Sequence, residues 1–126
     1  MRIATILIQN VVRLLGVILI VLGILFWTGH SLNLIPLHMH LGETLAGLLI
    51  ILAILGIVAR LNLGLTIAAT FWAVLVVFFG RNMGALLPGP AHELIRVAHF
   101  LIGLGTIVLT ESLGARIRRK LAARSA

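Results

Sequence analysis

Cysteine is absent from all 126 residues. No disulfide, thiolate ligand, iron–sulfur cluster or cysteine nucleophile can form, and covalent attachment of a c-type haem is excluded for the same reason. Charge is scarce. Charged residues are 10% of the chain, against about 25% in an ordinary soluble domain, which excludes a water-soluble globule of this size. Acidic groups are scarcest: Glu43, Glu93 and Glu111 are the only three. Glu43 and Glu111 fall towards the ends of apolar runs. No carboxylate therefore stands at a bilayer midplane, where a proton-coupled exporter of the small four-helix multidrug kind needs one. Proline is limited to Pro36, Pro88 and Pro90, which mark loops because proline lacks a backbone donor. No nucleotide-binding loop, Ser–His–Asp set or zinc-protease motif occurs.

What the chain has is apolar length. Hydrophobic residues make up 61%, and about 20 consecutive apolar residues are enough to cross a bilayer as a helix. Four such runs are present: 11–28, 41–59, 63–80 and 94–113. They predict one all-α unit, an integral membrane up-down four-helix bundle, because short connections join neighbouring helices antiparallel. A basic tail, 114–126, follows. The first run lacks a small-x-small cleavage site, since Phe26-Trp27-Thr28-Gly29-His30 is bulky, so it is expected to be a retained helix rather than a signal peptide.

The net charge of +7 is a matter of location. Arg2, Arg13, Arg60, Arg116, Arg118, Arg119, Lys120 and Arg124 fall on one side of a four-span topology, and only Arg81 and Arg96 on the other. That bias predicts a cell-membrane protein with both termini in the cytoplasm. The tail then reads as a juxtamembrane anchor beside anionic lipid, not a nucleic-acid site.

All five histidines, His30, His38, His40, His92 and His99, map to the opposite, outer side. Imidazole is the commonest metal ligand and titrates near neutrality. His99 lies inside an apolar run, where ionisable residues face the bundle interior and serve function. Its helical face continues through Gly103, Thr106 and Thr110. His30, His38 and His92 sit in or near loops and read as interfacial polar residues. His40 stands 20 residues before Arg60 and His99 stands 17 before Arg116, so both lie ~26–30 Å from the inner boundary at ~1.5 Å per residue. Helices 2 and 4 are diagonal in a square bundle. His40 and His99 could then face one another and hold a haem b by both axial positions. Gly103, with Thr44 and Gly47, would let a porphyrin edge approach backbone. Arg96 or Arg81 could pair with propionates, and Phe26, Phe79 and Phe100 could pack on the ring.

The motifs His40-Leu-Gly-Glu-Thr44 and Val97-Ala-His99-Phe-Leu-Ile-Gly103-Leu resemble one four-helix half of the haem A synthase type of membrane protein. The resemblance implies paired haem ligands at His40 and His99. It stops short of haem A synthesis, because this chain is a single bundle, has no loop cysteine pair, and carries Glu43 after rather than before the helix 2 histidine. Small membrane cytochromes b are a looser comparison.

Three functions stay open at this point. The first is a b-type haem protein for electron transfer or haem handling, with a redox partner or quinone. The second is a non-haem metal site built from His38, His40 and Glu43 with His92 and Glu93, whose nitrogen and carboxylate donors suit zinc, copper or iron. The third is a cofactor-free small membrane subunit. The bilayer is a partner in all three, and a homo-oligomer is compatible with each.

Overall fold

A computed structural model describes residues 1–124. It contains four long helices: α1 (Arg2–Trp27), α2 (Ile35–Val58), α3 (Leu63–Asn82) and α4 (His92–Ala122). Single 3-10 turns at Leu32–Leu34, Met83–Ala85 and Gly89–Ala91 occupy the longer connections. All four helices are long and apolar enough to span a membrane, with mean hydropathy from 1.6 to 2.4.

α1 and α4 outrun the apolar stretches that announce them. α1 begins at Arg2 rather than at residue 11, and α4 continues through most of the basic tail to Ala122. Hydropathy marks only what lipid must cover. The flanking turns stay helical because they keep a buried stripe: Thr5 and Gln9 on α1, Leu113 and Ile117 on α4, each at most 1% exposed. Ser125 and the last tail residue, Ala126, lie outside the described residues.

The bundle runs up and down. Gly56 of α2 lies against Thr66 of α3, and Glu43 of α2 pairs with Arg81 near the far end of α3, so these helices are antiparallel. Trp72 of α3 donates from Nε1 to the Ile102 carbonyl of α4 at 3.0 Å. α2 and α4 touch across the centre, whereas α1 and α3 do not meet among the described residues. The bundle is thus a rhombus with α2 and α4 on its short diagonal. Small residues permit this. Ala46 and Ala53 on α2, with Ala69 and Ala73 on α3, are all at most 1% exposed. In lipid, association depends on such close backbone approach because tails offer no hydrophobic drive.

Each turn has a local cause. Arg60 takes a left-handed conformation (φ 59°) that ends α2. Asn62 then caps α3, its Oδ1 accepting from the Gly64 N–H at 2.8 Å and satisfying a donor that the helix start leaves free. The outward surface is apolar along every helix, with Leu14, Ile54, Phe71 and Val108 all more than half exposed. In water such a continuous surface would be untenable, and in a bilayer it is the expected solvent face.

At the end that holds both termini, polar side chains join α1 to α4. Arg13 donates to Glu111 twice, from Nε to Oε1 at 2.7 Å and from Nη2 to Oε2 at 2.9 Å. Gln9 donates from Nε2 to Glu111 Oε2 at 2.8 Å and accepts from Arg118 at its Oε1. Gly114 makes room for Gln9: a Cβ there would lie 2.5 Å from Gln9 Nε2.

Candidate histidine site at the outer end

The buried face of α2 is read from its core residues. Leu45, Leu49, Leu52 and Gly56 are buried, and they recur in steps of three and four. Extended back towards the helix start, the same stripe lands on Gly42 and then His38. His40, two residues on, falls on the opposite face, because two residues turn a helix through about 200°. On α4 the stripe of Ile117, Leu113, Thr110 and Thr106 extends through Gly103 to His99. Thr106 and Thr110 are fully buried, and His99 and Gly103 are half-buried.

The two helices therefore bring His38 to His99. Their ring centres are 6.1 Å apart with planes inclined at 48°. Phe26 of α1 meets His38 edge-on at 5.3 Å. Among the described residues neither His38 Nδ1 nor His99 Nδ1 has a hydrogen-bond partner, and both atoms are buried. Such an atom ordinarily costs about 1–3 kcal/mol. Gly42 and Gly103 stand one turn inward of the two histidines. A Cβ at either glycine would meet nothing within 4 Å, so both face open space.

The other residues singled out from the sequence are placed differently. The His40 side chain is 79% exposed, and its Nδ1 lies 3.7 Å from Glu43 Oε2. It is not brought to His99. Glu43 also holds Arg81, with Nη2 to Oε1 at 2.7 Å. Gly47 is nine residues from His38, about two and a half turns, and so lies on the other side of α2. A Cβ there would also meet nothing within 4 Å. Arg96 pairs with Glu93 at 3.3 Å. His92 Nδ1 lies 3.0 Å from the Leu86 carbonyl oxygen, and His30 Nδ1 lies 3.0 Å from Thr28 Oγ1. His38, His40, Glu43, His92 and Glu93 thus do not converge. Among the described residues no group of three His, Cys, Asp or Glu side chains could hold a metal ion.

Sequence reasoning ranked His38 below His40 because it weighed distance from the loop and depth. The signal that identifies His38 is angular: its register with the buried leucines of α2. The arrangement offers two imidazoles on parallel diagonal helices, with space beside them. Two buried nitrogens without partners among the described residues fit a group that brings its own remaining ligands.

Comparison with known proteins adds no assignment: no family model, curated protein or solved structure matches this chain.

Proposed function

We propose that this chain is a small membrane subunit built around the His38–His99 pair, and that the pair holds haem b for electron transfer or haem handling. The observation that carries the reading is the pair itself: two buried, unpartnered Nδ1 atoms on rings 6.1 Å apart. Two side-chain ligands are too few for a closed non-haem site, which takes three or four, but they suffice for a macrocycle that supplies four nitrogens. His38 and His99 would be the axial residues. Gly42 and Gly103 would leave room beside them, and Phe26 would pack on the His38 side. Bound haem would supply one-electron redox chemistry, with a potential set by burial and by hydrogen bonds to its ligands. The chain's own part is to hold the two rings on rigid helices and keep water from them. The likeness to haem A synthase halves implies His99 of this pair, but His40 rather than His38 as its companion.

A second reading needs no cofactor. The outer polar groups already have partners: His40 and Arg81 with Glu43, Arg96 with Glu93, and His92 with a backbone carbonyl. In this reading the histidine pair is a polar core contact of a structural subunit. The same partner set argues against the outer His/Glu cluster as a zinc, copper or iron site.

An absorption spectrum of the full chain, expressed with ample haem and extracted in mild detergent, separates the two. A Soret band is expected, shifted or lost in His38→Ala and His99→Ala and unchanged in His40→Ala. A colourless wild-type protein would leave the cofactor-free subunit. A spectrum that depends on His40 and not on His38 would restore the pairing expected from sequence.

A further inference from the structure

The end that carries both termini holds an unbalanced charge, and its location identifies what balances it. Glu111 is the only acidic residue in the α1–α4 network. Arg13 already occupies both its oxygens, and Gln9 adds a third donor. Among the described residues Arg118 reaches only the neutral amide oxygen of Gln9. Glu111 is thus shared by Arg13 and Gln9, and Arg118 is left with an amide as its partner. Gln9 is 1% exposed and wedged against Gly114, so Arg118 is held at the seam rather than free to wander. Nearby Arg2, Arg116, Arg119 and Lys120 are exposed and add to the same sign.

The depth is that of lipid phosphates. Arg118 lies 22 residues along α4 from Arg96, or ~33 Å, against a hydrocarbon core of about 30 Å. Beside the seam, α1 presents Ile6 and Val17, 39% and 61% exposed, seven and four residues from Arg13 and so on its side of the helix, a surface suited to acyl chains. The Arg13 side chain is 56% exposed on the same flank. A guanidinium fork matches two phosphate oxygens.

We propose that this seam between α1 and α4 is a binding site for an anionic phospholipid, whose phosphate is held by Arg118 with Arg13 beside it. The site is independent of the histidine pair and of any haem.

The test uses the full chain in vesicles of phosphatidylcholine with a minority of phosphatidylglycerol. Native mass spectrometry reads the lipids that stay bound, and circular dichroism reads the melting temperature. Wild type is expected to retain phosphatidylglycerol about five-fold above its share, the ratio that about 1 kcal/mol for one cation provides, and to melt higher than in phosphatidylcholine alone. Arg118→Gln is expected to lose both effects, and Arg96→Gln, a cation removed at the other end, to keep both. Gln9→Glu keeps every arginine but gives Arg118 an internal carboxylate, and is also expected to abolish the preference. It keeps the proposal testable should Arg118→Gln not fold. The proposal is overturned if wild type shows no preference, if either seam variant keeps the full preference, or if Arg96→Gln loses as much. It is also overturned if inorganic phosphate, added to phosphatidylcholine vesicles, gives the same stabilisation, since the site would then take a free anion.

Discussion

Two glycines, two residues apart on α4, should respond in opposite ways to the same methyl group. A Cβ at Gly105 would lie 2.9 Å from Trp72 Cε2 and 3.2 Å from Trp72 Nε1. The indole cannot simply swing aside, because its N–H donates to the Ile102 carbonyl. Gly105→Ala gains ~1 kcal/mol of helix propensity. Against this stand an overpacking cost of ~1–3 kcal/mol and the loss of a hydrogen bond worth ~0.5–1.5 kcal/mol. The net is a destabilisation of about 1–3 kcal/mol. At Gly103 a Cβ meets nothing within 4 Å, so Gly103→Ala keeps the propensity gain and should be neutral or stabilising by up to ~1 kcal/mol. The two variants should therefore differ by about 1–4 kcal/mol in the loss of helical circular dichroism on titration with a denaturing detergent. A Trp27→Phe background leaves Trp72 as the only indole, and its emission should change in Gly105→Ala and not in Gly103→Ala. If Gly105→Ala is as stable as wild type and Trp72 emission is unaltered, the α3–α4 contact described above is wrong. Gly103→Ala also bears on the histidine site: it fills space one turn from His99, so haem retained per chain should fall while the fold holds.

At the other end, Glu111→Gln removes the carboxylate that Arg13 and Gln9 share, and leaves the Arg13 guanidinium without its counter-charge. Stability in detergent should fall, and Arg13→Gln together with Glu111→Gln should recover part of the loss, as removing both members of a pair costs less than removing one. A double variant no better than the single one would show that the pair contributes only its packing. For topology, the Lys and Arg asymmetry predicts that both termini lie in the cytoplasm. Cysteines introduced at Ser31 and Ser125 should react with an impermeant thiol reagent from opposite sides of the membrane, Ser31 from outside, and labelling from one side would end that placement.

The sequence by itself determined the class of protein and its architecture. Four apolar runs of spanning length admit little else in a chain with three acidic residues, because lipid offers the backbone no hydrogen-bond partners and only helices satisfy it internally. It also determined the inward face of α4, since His99, Gly103, Thr106 and Thr110 keep one register over about three turns. Helix ends were not legible in hydropathy, which reports where lipid lies and not where backbone bonds stop; Gln9 and Ile117 continue their helices through contacts with other helices. The tertiary structure alone decided which histidine accompanies His99. His38 and His40 have the same chemistry and nearly the same depth, and differ by two residues, a little over half a helical turn. Which of them faces inward depends on how α2 is rotated about its axis, and that rotation is set by Leu49 and Leu52, which share one core with Ala69 and Ala73 of α3 and Leu113 and Ile117 of α4. Likewise Arg118, Gln9, Glu111 and Arg13 are separated by about a hundred residues along the chain. They became one polar seam because the first and last helices of an up-down bundle close on one another.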